Sequence, residues 1–307
     1  IGVRLVGSEM CIRDRPSTAP RSASMALLEG LSSEMIDTSD LQYQANPKYM
    51  PDKGELHTIP FEKDGWTEAH NALRAEIAQL SQMIKLLGNR RLEPWEKKAF
   101  QNFWNFHDTH MHDHHSNEDI LLAPLIAERI KLPQRLTTDH EKIVDHLKKI
   151  GPKVKSLTSA SDVREDLEVY KRDLLPHLIE EERISLPLVR AYFTPAEYDA
   201  MIQKILNKLP PSIIGATFYW MASSDPDNGD VSGLTLDSVR KATSEFILRT
   251  GAPPFVPPLA WHMQIKFGVK KYMREVEAGA QGVLNGKPPQ EEKFWSPFAA
   301  CLSKCRF

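Results

Sequence analysis

Cysteine is scarce in this 307-residue chain: Cys11, Cys301 and Cys305 are the whole complement. Three scattered thiols cannot build a disulfide framework, which favours a reducing, cytoplasmic setting over a secreted one. Cys301 and Cys305 are spaced i, i+4, which we read as chance near a chain end rather than as a redox pair. Long apolar runs are missing too, and none approaches the roughly 18–20 residues needed to span a bilayer. The formal charge of −2 gives no reason to expect nucleic acid or an anionic membrane as partner. Strand signals are absent throughout, and no nucleophile or organic-cofactor motif occurs. With 41% hydrophobic and 26% charged residues the chain is nonetheless ordinary for a globular protein, so its core must come from helices.

Histidine is what the chain has in plenty. Of 11 His, five (His107, His110, His112, His114 and His115) fall within one short stretch. That stretch opens a phrase that occurs twice, HHSNEDILLAP from His114 and HLIEEERISLP from His177. Aligned, His114/Glu118/Asp119/Pro124 lie over His177/Glu181/Glu182/Pro187. On a helix, positions i and i+4 share a face, so each copy stacks an imidazole on a carboxylate. Taken singly, such a pair is an ordinary solvated ion pair worth roughly 0.3–0.5 kcal/mol. Two copies in matching proline registers point instead to metal ligands. His115 and Asp119 offer the same spacing one residue on, rotated by about 100°. The second copy has Leu178 at the matching position, so His114 is the preferred register.

The repeat extends beyond the phrase. Apolar spacing and a Thr67 N-cap predict a first helix from Thr67 to the Gly88 stop, carrying His70. A second opens at Pro94 and runs through the first phrase to about Ile130, bent by Pro124. A third starts at Thr138 with a capping box to Glu141, carries His140 and ends at Gly151-Pro152. The fourth runs from near Ser161 to near Arg190, carries His177–Glu181, and is distorted by Pro176. Two helical hairpins, each with a lone His and then a His–Glu pair, are what a four-helix bundle needs to bring ligands from every helix to its core.

The remainder divides around this unit. The run Leu5–Asp14 reads as the in-frame translation of a transposase-type sequencing adapter, so residues 1–24 are set aside and Met25 is the expected start. Residues 25–66 read as an irregular arm with a short helix near Leu27–Ile36. Residues 193–307 read as a helical extension: a capped helix at Thr194–Glu197, an apolar stretch at Ile213–Met221 after Pro210-Pro211, a loop at Ser223–Gly233, helices near Leu236–Arg249 and Pro258–Leu284, and a poorly ordered end from Asn285.

Residues 67–190 resemble the hemerythrin-like family, the HHE cation-binding domain. The resemblance rests on the H-x3-E-[DE]-x4-P phrase, twice, with a preceding lone His in each half. It implies an all-α, up-down-up-down four-helix bundle holding a non-haem di-iron centre at His70, His114, Glu118, His140, His177 and Glu181. It further implies iron, and dioxygen or a related small oxidant, as partners. Two features depart from the oxygen-carrying members. They place a second His one turn after the third-helix His, where this chain has Val144, and His146 falls off that face. They also set the last carboxylate five residues after its His, which Glu182 would satisfy, whereas the internal repeat favours Glu181.

Four His and two Glu are too many for one tetrahedral zinc and too few to saturate two six-coordinate ions, which leaves open positions. The expected function is binding or sensing of iron and dioxygen in iron or redox handling, rather than enzymatic turnover. A di-iron oxidoreductase acting on peroxide or nitric oxide is the alternative, and a metal-stabilised scaffold whose extension meets a protein partner is the third. His107 and His110 share a broad face with His114 and are read as bystanders, as is Tyr170. Phe100, Phe103 and Trp104 are read as core packing. His57 has no partner in the pattern, and His262 is read as a surface or core residue.

Overall fold

The computed structural model describes residues 57–223, 234–250 and 252–289, with Lys48 and the backbone of Gln44–Ala45. Four long helices carry nine of the 11 histidines: α1 (Gly65–Leu87), α2 (Pro94–Asn117), α4 (Gln134–Lys155) and α5 (Ser161–Tyr192). After α2 the chain widens into a π turn, Glu118–Leu122, and closes with a short helix α3, Ala123–Ala127. Helix α1 packs on α2 and α5, α2 on α4, and α4 on α5, so the four form a closed ring of contacts. The ring is driven by apolar positions at helical spacing. Leu73, Ile77 and Leu80 of α1, Phe100, Phe103 and Trp104 of α2, Ile143 and Leu147 of α4, and Leu167 and Leu174 of α5 are all buried in one core.

The same core continues into the later helices. These are α6 (Pro195–Lys208), α7 (Pro211–Ser223), α8 (Leu236–Arg249), α9 (Val256–Ala260), α10 (Lys266–Tyr272) and α11 (Ala278–Leu284). Two further π turns, Trp261–Ile265 and Met273–Glu277, join α9 to α10 and α10 to α11. Helix α7 lies on α1, α8 and α10, while α11 lies on α1 and α2. Helix α6 reaches back to the π turn after α2. Phe218, Val269 and Tyr272 thereby join the core begun by Leu73 and Phe103. No helix among the described residues is long and apolar enough to cross a membrane.

Several local expectations give way to tertiary context. Helix α1 begins at Gly65, because Asp64, not Thr67, accepts the backbone N–H of Trp66 as cap. Asp64 is held in that role by the phenol of Tyr198, which donates to it at 2.5 Å. The Thr138–Glu141 box does not form: α4 starts four residues earlier, after Pro133, and the Thr138 hydroxyl donates to the carbonyl of Gln134. Helix α4 also continues through Pro152 to Lys155, and α5 through both Pro176 and Pro187 to Tyr192. Pro124 acts earlier than a simple bend. Having no N–H for the carbonyl of Ile120, it favours the wider turn in which Ala123 N–H reaches back to Glu118. Strand is not wholly absent, since Ile130–Lys131 pairs antiparallel with Gln44–Ala45. The Ile213–Met221 stretch is part of α7, and the Thr194–Glu197 capping box forms as expected. Residues 285–289 turn back on α11 through Gly286, whose φ is 64°, and Lys287 N–H donates to Gly282. The adapter-like run, the helix near Leu27–Ile36, most of the Ser223–Gly233 loop and all three cysteines lie outside the described residues.

Helices α7 and α10 touch backbone to backbone. A Cβ on Gly215 would stand 2.2 Å from the carbonyl carbon of Gly268, and one on Gly268 would stand 1.8 Å from the carbonyl oxygen of Pro211. Neither obstacle is a movable side chain, so any larger residue must part the helices. Gly268→Ala should therefore destabilise by about 3 kcal/mol and lower the melting temperature by ~5–10 °C. An unchanged calorimetric melt would contradict the close crossing.

Candidate metal centre

The four long helices bring seven ligand-type side chains to one place. His70 comes from α1, His114 and His115 from α2, Glu118 from the first position of the π turn, His140 from α4, and His177 and Glu181 from α5. They fall into two groups, His70/His114/Glu118/Glu181 and His115/His140/His177, with one ligand atom per residue within 4.8 Å of the others in its group. All six residues expected from the sequence are here. The seventh, His115, is the register that the sequence reading set aside. Its ring stacks on that of His140, centroids 4.2 Å apart and planes 13° apart. Val144 cannot supply a second nitrogen on α4, and His115 brings one beside His140 from α2.

The two carboxylates tie the groups together. Glu118 lies 3.8 Å from Nε2 of His70, 3.4 Å from that of His114 and 3.5 Å from that of His140. Glu181 lies 3.4 Å from Nε2 of His70, 3.6 Å from that of His177 and 3.3 Å from that of His140. Each therefore faces imidazoles of both groups. Many of these atoms lack any other partner. Nε2 of His114, both ring nitrogens of His115 and of His177, and one oxygen each of Glu118 and Glu181 are buried without a hydrogen bond. Each such group costs about 1–3 kcal/mol if left unsatisfied. Lone pairs of N and O converging in a dry interior, with nothing to donate to them, fit cations.

The second carboxylate of each phrase braces the site from outside. Nδ1 of His140 donates to Asp119 at 2.9 Å, and Nδ1 of His70 donates to Glu182 at 2.9 Å. Arg74, itself buried, holds Glu182 at 2.8 Å. The brace crosses over: the first phrase supports the lone His of the second hairpin, and the second phrase supports that of the first. Tying Nδ1 to a carboxylate turns Nε2 inward and raises its basicity. Glu182 thus belongs to the support of His70, and Glu181 to the centre.

Charge is divided accordingly. Burial opposes a charge on His140, but the hydrogen bond to Glu181 and the nearby Glu118 push it up to about 10. Burial likewise opposes charge on His70, while Glu118 and Glu182 raise it to about 9. The indole N–H of Trp66, aimed at Nε2 of His70 from 3.1 Å, pulls the other way because it needs that lone pair. Burial drives His114 and His115 well below the ordinary imidazole value, helped by neighbouring rings. Burial also lowers His177, against the pull of Glu181. Of the carboxylate pair, burial and Glu181 raise Glu118 to about 7. Burial would also raise Glu181, but His177 and the other imidazoles hold it down at about 2.

The remaining histidines are accounted for elsewhere. Nδ1 of His107 and Nδ1 of His110 each meet the buried carboxylate of Glu76 at 2.8 Å, and the Tyr170 hydroxyl meets Nε2 of His107 at 2.8 Å. Sequence reasoning missed this network because Glu76 sits alone on α1 with no spacing to mark it. His146 pairs with Asp173, and His57 with the carbonyl of Phe193. His112 and His262 are exposed, while Phe100, Phe103 and Trp104 are packed in the core.

Two outcomes are expected. A cation can enter only as His140 gives up its proton, so metal affinity should rise with pH from 6 towards 10 and uptake near pH 8 should acidify a weakly buffered solution. A pH-indicator titration with ferrous ion or zinc reads this, and uptake without proton release would count against it. Glu182→Gln should weaken metal binding by about 10–100-fold with all seven inward-facing groups intact, as measured by competition with a chelator.

Comparison with known proteins agrees with this geometry. The Hemerythrin HHE cation binding domain family matches residues 63–189. F-box/LRR-repeat protein 5 of Danio rerio is 26% identical over 158 residues, 48% of this chain and 22% of that protein. Its Mus musculus counterpart is 28% identical over 154 residues, with the same coverage of 48% and 22%. This chain thus spans about a fifth of the length of these curated relatives. No solved structure matches it. Residues 63–189 are thus similar to the hemerythrin HHE cation-binding domain.

Proposed function

We propose that this chain is a non-haem di-iron protein whose function is to bind or sense iron and, through it, dioxygen or a related small oxidant. In this reading α1, α2, α4 and α5 form the up-down-up-down four-helix bundle, spanning residues 67–192. His70, His114, Glu118 and Glu181 would hold one ion, and His115, His140 and His177 the other. The observation that carries the reading is the convergence of imidazoles and carboxylates from all four helices and the π turn, with buried, unpartnered nitrogens and oxygens on His114, His115, Glu118, His177 and Glu181. Donors of N and O alone, with no thiolate, suit iron over a closed structural zinc site.

When bound, an iron pair supplies one-electron redox chemistry and open positions for a small ligand. The chain's own part is to hold those positions. Neutral His114, His115 and His177 offer lone pairs without first losing a proton. Asp119 and Glu182 fix the tautomers of His140 and His70. The decisive experiment is metal analysis of protein expressed with iron, together with the optical spectrum of the aerobic sample. About two irons per chain with ferric-pair charge-transfer absorption is expected, and fewer than about one iron would overturn the reading. His115→Ala should remove roughly half of the bound iron, as should His177→Ala, because each strips a nitrogen from the same group. Full iron content in His115→Ala would exclude it as a ligand.

A further inference from the structure

A cavity of about 90 Å³ opens on the metal centre, and the helices after Phe193 build its walls. Its floor is His114, Asn117 and Glu118 from α2 and the π turn. Its far side is apolar: Ile205, Leu206 and Leu209 at α6 and its end, Phe218 and Met221 on α7, and Phe246 on α8. His114, whose side chain is 11% exposed, is the least buried imidazole of the centre, so this is the side on which the centre meets open space.

We propose that this cavity binds a small, uncharged, apolar organic molecule, about the size of a single aromatic ring or a short alkyl chain, with one end against His114 and Glu118. Size argues for an organic guest over a diatomic, which would fill only a small part of the space. An apolar cavity of roughly 150 Å³ is known to take up benzene, and this one, somewhat smaller, is open at its mouth. Charge argues for a neutral guest. Among the described residues no Lys or Arg lines the cavity, so an acid would meet Glu118 with no counter-ion from them. The unpaired polar lining comes from α2 and the π turn, where Nε2 of His114, Oδ1 of Asn117 and one oxygen of Glu118 are buried without partners. His110 is held by Glu76, and the indole N–H of Trp66 by His70. Among the described residues the only hydroxyl in the apolar part, that of Thr217, is already committed to the carbonyl of Ile213. Apolar walls with a few unpaired polar atoms at one end are the usual form of a small-molecule site. The guest's position beside a metal rests on the function proposed above; its binding does not.

The test is a fluorine-NMR titration of the full, iron-loaded chain with fluorobenzene, alongside iron analysis of the same samples. Saturable binding is expected, weakened by about tenfold or more in Ile205→Trp, which fills the cavity, with iron content unchanged. No saturable binding by the unaltered protein overturns the inference. So does a folded Ile205→Trp that binds as tightly as the parent. If Ile205→Trp does not fold, Met221→Ala decides: its enlarged cavity should bind 1-fluoronaphthalene about tenfold more tightly than the parent does, and equal binding overturns the inference. Fluorobenzene binding in protein that takes up no iron would sink the di-iron reading and leave the cavity standing.

Discussion

The structure depends on a single constraint: two carboxylates and five imidazoles share one dry interior. Apart from His70, which takes the indole N–H of Trp66, none of these side chains finds a hydrogen-bond partner on its own helix, and most of them are buried. Left to themselves they would be a liability of many kcal/mol, since burial penalises every charge and every unmet lone pair. The protein lessens the penalty in two ways. It sorts the groups by charge, with His140 raised, His114, His115 and His177 lowered, and the carboxylates split. It also leaves a set of lone pairs facing a common space, a penalty that a bound cation removes. Stability and metal affinity are therefore parts of one free energy in this molecule.

Around that interior the duplicated phrase works as a reciprocal clamp. The first carboxylate of each copy faces inward and the second faces the lone histidine of the opposite hairpin. Neither hairpin could complete its own half: His70 leans on Glu182, and His140 on Asp119. The centre is thereby tied to the mutual docking of the hairpins, and a slip of one against the other would loosen both braces. The network of Glu76, His107, His110 and Tyr170 adds a second polar tie between α1, α2 and α5. The extension then seals the side that the hairpins leave open.

Much of this was legible in the sequence, and the reasons are physical. The i, i+4 pairs, their proline registers and the lone histidines are local patterns, and locality is what a sequence records directly. The all-helical class followed from the same source. Three things were not legible. His115 was discounted because the internal repeat has Leu178 at its counterpart, yet a true pseudo-symmetry need not be kept where one half lacks a ligand, as at Val144. Glu76 has no periodic partner, so its role appears only when α1 and α2 lie side by side. The start of α4 was misplaced because a strong local capping box at Thr138 lost to helix formation four residues earlier. The cavity, assembled from α6, α7 and α8 against α2, carries no sequence signature at all.

The adjacency of His114 and His115 has a mechanical corollary. They are consecutive residues of one helix, yet each serves a different group, with the shared space lying between their two directions. A small roll of α2 about its axis would swing one ring further into that space and the other out of it. The two groups therefore act as the ends of a balance beam whose pivot is the helix axis. The π turn just beyond continues α2, and α6, resting on the π turn, is placed to feel such a roll. Any event that favours one end would be communicated to the other, and to the extension, without a change in the ring of helices itself.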